Sequence, residues 1–144
     1  MGGDLVWIFQ GGRYRTVPVP ATAGNAQVNL TPTAGKRWLV LRGRITCVND
    51  ATVATRNIAL KCTDGTNPTF TFPFGAAATA STTHYLNFGP FMFNLNCIQE
   101  SALNAYIGVD ALLLEGADLF QIGVVNGVAG DSFSGWVDIL EIDI

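Results

Sequence analysis

The sequence predicts an all-β fold: a single-domain antiparallel β-sandwich of about eight to ten strands with a jelly-roll-like arrangement. Apolar residues alternate with polar ones or come in short runs, and helical periodicity is almost absent. Gly, Pro, Asn, Asp and Thr interrupt the chain roughly every 8 to 12 positions. The 144 residues have the length of one domain and contain no dividing linker, so we assign residues 1–144 to one β-sandwich domain.

The N-terminal part contains three predicted strands. Residues 5–10 and 13–19 flank a Gly11-Gly12 turn, and Pro18 and Pro20 confine the second strand to a sheet edge because proline donates no ladder hydrogen bond. A short strand at 27–30 precedes a turn at 32–35. We expect residues 1–20 to form a terminal strand or arm that takes part in subunit contacts.

The clearest strand covers residues 37–48. Its alternation predicts two faces, one with Leu39, Leu41, Ile45 and Cys47 and the other with Trp38, Val40, Arg42, Arg44 and Thr46. Residues 56–63 repeat the pattern, and we predict that the two strands pair as a hairpin. That register would place Cys62 opposite Gly43 and Cys47 opposite Ile58, which argues against a disulfide between the two cysteines.

The second half continues with short strands. We predict them at 69–74, 85–88, 91–95, 111–114, 119–126 and 133–144, with 111–114 and 119–126 paired around the turn at 115–118. Residues 98–107 could instead form a helical turn. The small, uncharged residues 75–83 predict a flexible loop or contact arm. The last strand lacks clean alternation, which indicates either a bulge near residue 139 or 140 or two half-covered faces.

Charge is scarce and unevenly distributed. Charged residues make up 13% of the chain and hydrophobic residues 49%, so part of the surface is expected to be buried against copies or a partner. All eight basic residues lie in the first 61 positions: Arg13, Arg15, Lys36, Arg37, Arg42, Arg44, Arg56 and Lys61. From residue 62 onward the chain carries nine acids and no Lys or Arg.

Three interpretations of this distribution stay open. The two halves can interleave in the sheets and neutralise each other across neighbouring strands. They can instead form a basic and an acidic surface that favour head-to-tail contacts between copies. A nucleic-acid surface is the least favoured, because the net charge is −3.

No stretch reaches the length of a spanning helix, and the N-terminus lacks the basic segment of a signal peptide, so we expect no membrane partner.

The sequence offers no catalytic, cofactor-binding or metal-binding residues that we would assign. His84 follows three hydroxyl residues, but no nucleophile motif surrounds it, and we interpret it as an ordinary strand-end residue. The three cysteines, Cys47, Cys62 and Cys97, are an odd number without metal-ligand spacing, which is typical of buried apolar residues.

A few loop and aromatic residues allow sharper alternatives. The glycine-rich residues 123–130 lack a following helix and predict a hairpin turn rather than a phosphate site. Asp64, Asp118 and Asp131 are expected to cap turns, although Asp131 with a neighbouring loop carboxylate could bind calcium. Trp7, Phe9 and Tyr14 belong either to the core or a subunit interface, or to a surface that stacks on sugars or docks a partner.

Two segments resemble small virion proteins of tailed bacteriophages. They are TPTAGKRWLVLRGRITCVNDATVATRNIALKCTDG, residues 31–65, and LLLEGADLFQIGVVNGVAGDSFSGWVDILEI, residues 112–142, and together they cover roughly half the chain. The resemblance implies a head decoration (cement) protein or a small tail or neck component, displayed as symmetric homo-oligomers with a trimer favoured. It implies a location in the virion, assembled in the host cytoplasm, and no catalytic residues.

Three functions follow as hypotheses. The first is a virion structural protein that binds the capsid surface or itself in a symmetric assembly, with a major capsid or other virion protein as partner. The second is a carbohydrate-binding or adhesin-type β-sandwich, which requires exposed Trp or Tyr residues around a groove with polar partners. The third is an enzyme, which would require His84 to approach a carboxylate inside a pocket, and which we do not expect.

Overall fold

The computed structural model describes residues 11–72, 78–89, 104–108 and 112–144. These ranges form ten strands: β1 (Arg13–Ala23), β2 (Gln27–Leu30), β3 (Lys36–Val48), β4 (Asn57–Thr63), β5 (Pro68–Phe72), β6 (Thr83–Gly89), β7 (Asn104–Gly108), β8 (Leu112–Glu115), β9 (Leu119–Val125) and β10 (Ser132–Asp143). Among the described residues, no helix is long and apolar enough to cross a membrane.

The strands build two packed sheets, which confirms the predicted β-sandwich. The six-stranded sheet has the order β1-β10-β3-β6-β7, with β8 also paired to β3, and the four-stranded sheet has the order β2-β9-β4-β5. All pairs are antiparallel except β6 with β7, which run parallel. The jelly-roll connectivity stays a prediction.

The core lies between the two sheets. Inward-facing side chains from both sheets form one buried cluster, in which Phe88 of β6 and Phe120 of β9 pack with ring centroids 5.7 Å apart. Each fully buried side chain of this size contributes roughly 1.5–3 kcal/mol. The alternation of apolar and polar residues along the strands therefore produces the expected sandwich core.

Most strand positions agree with the sequence prediction. β1 lies at one end of the six-stranded order, as Pro18 and Pro20 predict, and residues 104–107 belong to β7 rather than to a helical turn. The predicted strands at 5–10 and 91–95 lie outside the described residues, as do Trp7, Phe9, Cys97 and residues 98–103.

The predicted hairpin between residues 37–48 and 56–63 is wrong. β3 pairs with β10, β6 and β8, whereas β4 pairs with β9 and β5 in the other sheet. The intervening loop carries the chain across the sandwich, so the apolar sides of β3 and β4 meet through the core instead of through a ladder. Cys47 and Cys62 are both buried free thiols.

Two further turns join the sheets instead of closing hairpins. β8 pairs with β3 and β9 with β2 and β4, so the predicted pair around residues 115–118 is also wrong. The local turn itself forms, with Asp118 N donating to Glu115 O at 3.1 Å. The glycine-rich turn after β9 likewise leads into β10 of the other sheet. Turn chemistry alone does not distinguish a hairpin from a corner between sheets.

A bulge interrupts the pairing of β3 and β10. Asp138 lies opposite Arg42, but Ile139 lies opposite Val40, so Leu41 is an extra residue on β3. The register shift lies next to the predicted position, whereas the inserted residue belongs to the partner strand. A bulge of this kind reverses the side-chain alternation of the strand that carries it.

The bulge corrects the predicted faces of β3. Trp38 and Val40 join the core cluster with Ile45 and Cys47, while Leu39 is turned to the opposite face. Regular alternation across residues 37–48 would have placed Leu39 beside Ile45. The single extra residue therefore explains why the prediction was correct only after position 42.

Residues 78–83 do not form a free arm. Ala78 is fully buried, and its backbone exchanges two hydrogen bonds of 2.9 Å with Arg56. Ser81 N and Asn49 N extend this contact through bonds to Asp50 O and Thr82 O. Small side chains permit this close packing, whereas residues 75–77 lie outside the described part.

Candidate functional site

Three leucines form a row across the outer face of the six-stranded sheet, which is the face turned away from the core. Leu39 of β3 lies opposite Leu140 of β10 on one side and Leu113 of β8 on the other. None of the three belongs to the core cluster; Leu113 is 45% exposed and Leu140 is half-buried, whereas Leu39 between them is only 8% exposed. A solvated sheet face normally carries polar residues, so this leucine row is suited to contact another apolar surface.

Asp138, a buried carboxylate, lies on the same face, two residues before Leu140 in β10. Asp138 accepts hydrogen bonds from Thr16 Oγ1 at 2.6 Å, from Arg42 Nε at 2.9 Å and from the Tyr14 hydroxyl. Burial alone would raise the pKa of Asp138, but these bonds outweigh it and hold that pKa below its ordinary value. Asp138 therefore stays ionised and fixes its three neighbours in place.

An open depression borders this carboxylate. It has a volume of about 300 Å³ and is lined by Tyr14, Thr16, Trp136 and Asp138. Tyr14 is 54% exposed and Trp136 is 37% exposed, so both aromatic side chains present surface to solvent. We call these four residues the aromatic depression. Its aromatic and polar groups could contact a partner or a small polar ligand.

Many of the described charged side chains, at the surface and in the interior, are neutralised by ion pairs. Ion pairs among the described residues join basic residues of the first half to acids of the second: Arg15–Glu141, Lys36–Asp143, Arg37–Glu115, Arg42–Asp138 and Arg56–Asp131. Arg44 instead stacks its guanidinium 4.5 Å from the ring centroid of Tyr85. The interleaved interpretation of the charge distribution is confirmed, and the alternative of separate basic and acidic surfaces is not supported.

A second depression lies on the outer face of the four-stranded sheet. It has a volume of about 480 Å³, and Ala59 and Gly123, which lie opposite each other in the ladder, contribute to its lining. Asn25 and Gln27 add amide groups. Its lining contains no aromatic or charged side chain, so it offers fewer distinguishing contacts than the aromatic depression.

The opposite end of the sandwich holds a buried ion-pair network. The Arg56 side chain is fully buried, and its Nε donates to Asp131 Oδ2 and its Nη2 to Asp50 Oδ1, both at 2.8 Å. Asp131 also accepts from the backbone N–H groups of Asp50 and Val128, each at 2.9 Å. Burial opposes ionisation of Asp131, but Arg56 and these backbone donors hold its pKa below the ordinary value.

This network changes the interpretation of Asp131 and of the glycines before it. Asp131 does meet a neighbouring loop carboxylate, Asp50, but the guanidinium of Arg56 lies between them where a calcium ion would have been expected. A Cβ on Gly130 would lie 2.1 Å from Asp50 Oδ2, so the glycine allows the loops to approach. Among the described residues, no cluster of three or more His, Cys, Asp or Glu side chains could hold a metal.

His84 lies near the start of β6 and faces the core, opposite Cys47 in the ladder. Burial lowers the pKa of His84 from 6.5 to about 4, although the Asp131 charge acts in the opposite direction. Neither ring nitrogen has a hydrogen-bond partner within the described ranges. The hydrogen bonds of Asp131 go to Arg56 and to backbone N–H groups, so the contact that a histidine base would need is not made.

The two described cysteines are buried in the same core. Burial raises the pKa of Cys47 and that of Cys62 to about 11 each. The thiolate is the reactive form, so both thiols stay protonated and unreactive at neutral pH. Their interpretation as buried apolar residues is confirmed.

Sequence reasoning identified only part of the candidate surface. Tyr14 was named as a docking or stacking residue, and it is exposed as that interpretation requires. Trp136, Asp138 and Thr16 were not named, and Arg42 was named only as a basic strand residue, because the four come together only when β10 pairs with both β1 and β3. The one local signal was an acid two positions after a tryptophan in an apolar strand.

No protein-family model, curated protein or solved structure matches this chain. Its function must therefore be inferred from its own surfaces.

Proposed function

We propose that the chain is a virion structural protein of decoration type, which binds the capsid surface or copies of itself in a symmetric assembly. The leucine row carries this proposal. A monomer would leave Leu113 in water on β8, which pairs only with β3 among the described strands, whereas contact with an apolar partner surface would bury it.

Three other features support assembly. The chain has few charged residues, and the ion pairs between its strands leave few free charges to repel a neighbouring subunit. Tyr14 lies opposite Leu140 at one end of the leucine row, and Arg42 lies opposite Asp138, two residues before Leu140; both residue types often anchor protein interfaces. The resemblance to small virion proteins favours the same role, with a closed homo-oligomer such as a trimer and a capsid protein as second partner.

Electron microscopy of particles from the native source tests this proposal. We expect the chain at regular positions on the particle, with the outer face of the six-stranded sheet against the shell or a neighbouring copy. Particles that lack the chain, in a source that produces it, would contradict the proposal.

A carbohydrate-binding module is the second candidate function. The observation that favours it is the exposure of Tyr14 and Trp136 around an open depression with polar neighbours. The two surfaces meet at Tyr14, which lines the depression and lies directly opposite Leu140 of the leucine row, whereas Trp136 lies four residues from Leu140 along β10.

A further inference from the structure

We propose that the aromatic depression binds a neutral glycan. This inference rests on the second candidate function, a carbohydrate-binding module, and not on the proposed assembly. The depression extends along β10 from Asp138 to Trp136, and Leu140 of the leucine row lies four residues beyond Trp136. At about 3.3 Å of rise per residue, that separation is about 13 Å. Tyr14, which also lines the depression, lies directly opposite Leu140, but a ligand of one or two sugar rings over Trp136 does not reach Leu113 and leaves it exposed.

The aromatic groups supply the apolar half of the site. Trp136 and Tyr14 present exposed side chains at the depression, and Pro18 lies beside Trp136 in the adjacent strand. Aromatic side chains combine a large apolar body with a polar tip, so they can contact the apolar C–H faces of a sugar while leaving its hydroxyls free. A surface that contacts only water would gain no stabilisation from exposed aromatic rings.

The polar groups supply the other half, and they are fixed before a ligand arrives. Asp138 is buried and holds the Tyr14 hydroxyl, the Thr16 hydroxyl and Arg42 Nε in defined positions. Each hydroxyl donates to Asp138, and the Tyr14 hydroxyl also accepts from Arg42 Nη2 at 3.4 Å. The Thr16 hydroxyl keeps acceptor lone pairs, and the half-exposed Arg42 guanidinium keeps further N–H donors. Donors and acceptors therefore stand together at the edge of the aromatic surface.

The charge balance identifies the ligand class. Arg42 neutralises Asp138 at 2.9 Å, so the depression offers no uncompensated charge to an ionic ligand. A purely apolar ligand would cover these polar groups without satisfying them, which costs free energy. A neutral polyhydroxylated ligand meets both requirements, because its hydroxyls pair with the polar groups and its C–H faces contact the rings.

The shape indicates how such a ligand would bind. The depression is open and near the lower volume limit of small-molecule sites, about 300 Å³. The depression can contact one face of a sugar ring, at the end of a glycan or within it, but it cannot enclose a free metabolite. We therefore expect dissociation constants of roughly millimolar for a single site.

Titration of the full chain with neutral hexasaccharides of glucose, mannose, galactose and N-acetylglucosamine tests this inference. We expect saturable binding of at least one of them, monitored by nuclear magnetic resonance shifts of the Trp136 indole. Trp136→Ala should weaken that binding about tenfold or more. Thr16→Val, which removes a hydroxyl and retains the side-chain shape, should weaken it to a smaller extent.

Phe70→Ala is the matched control, because Phe70 is an exposed aromatic residue of the other sheet. It should leave sugar binding unchanged. Thermal unfolding of each variant identifies any loss of fold, and Thr16→Val keeps the test decisive if Trp136→Ala is unstable. The inference is overturned if none of the four hexasaccharides binds at concentrations up to about 10 mM. It is also overturned if binding survives both substitutions, or if Trp136→Ala changes only the oligomer mass.

Discussion

At the residue scale, the Arg56–Asp131 pair shows what local sequence can and cannot reveal. Arg56 was predicted to open a strand, and it lies directly before β4, in an isolated bridge with Ala78; Asp131 is a loop aspartate, as predicted. Nothing near either residue indicates that they meet, because their contact spans 75 positions and depends on the order of the strands. A buried arginine is rare without a partner, but its partners cannot be chosen among the eleven acids of the chain from spacing alone.

Replacing Asp131 by Asn should destabilise the protein strongly. The substitution keeps the size of the side chain but leaves the buried Arg56 with only the half-exposed Asp50 as a carboxylate partner. We expect a loss of about 3 kcal/mol in the free energy of unfolding, measured by urea titration. Asp143→Asn, at an exposed ion pair, is the control and should change stability little. A similar effect of the two substitutions would contradict the role assigned to the network.

His84 predicts a loss of stability in mild acid. Its pKa is about 4 in the folded protein and 6.5 when exposed, so between these values the unfolded chain binds more protons. Stability from this group is complete above pH 6.5 and falls as the pH drops towards 4. We expect a loss of about 2 kcal/mol after partial screening by water.

The His84→Leu variant tests the assignment. Because leucine does not titrate, its unfolding free energy should vary less than that of the wild type between pH 6.5 and 4. The folded carboxylates Asp131 and Asp138 have lowered pKa values and contribute in both proteins, mainly below about pH 5. An unchanged slope in the variant above pH 4 would show that other groups cause the acid sensitivity.

At the scale of the elements, strand positions were predictable and their pairing was not. Turn residues interrupt the apolar runs at nearly the observed boundaries, and the 27–30 prediction coincides with β2 (Gln27–Leu30). The hairpin between β3 and β4 failed because the same turn chemistry serves corners between sheets. The prediction assigned the residues of β3 before Leu41 to the wrong faces. The extra residue Leu41 reverses the alternation there, and such a bulge depends on pairing with the partner strand β10.

Gly43 tests the packing just after the bulge. A Cβ at this position would lie 2.4 Å from Phe88 Cζ and 2.6 Å from Trp136 O, so Gly43→Ala should destabilise the protein by about 2 kcal/mol. Gly123→Ala is the matched control, since its Cβ would lie 3.6 Å from its nearest neighbour, Gln27 Cβ. We expect the control to be neutral or slightly stabilising in urea titrations. Equal tolerance of both alanines would contradict the described packing of β3 on β6.

At the scale of the whole molecule, composition predicted the need for a partner but not the surface that meets it. The low charged fraction predicts that part of the surface is buried against copies or a partner. The basic and acidic halves of the sequence neutralise each other across neighbouring strands. The leucine row could not be found from periodicity, because it requires three strands in register and the bulge at Leu41. The candidate surface is therefore a product of topology.

The mass of the chain in solution, measured by light scattering during size-exclusion chromatography, tests the central claim of assembly most directly. We predict a wild-type mass that is a multiple of 15.3 kDa, and at least tenfold weaker association for Leu113→Lys. Val53→Lys, at a loop residue that is 94% exposed, should behave like the wild type. A wild-type mass of 15.3 kDa at every concentration, or an oligomer that Leu113→Lys leaves intact, would contradict the account.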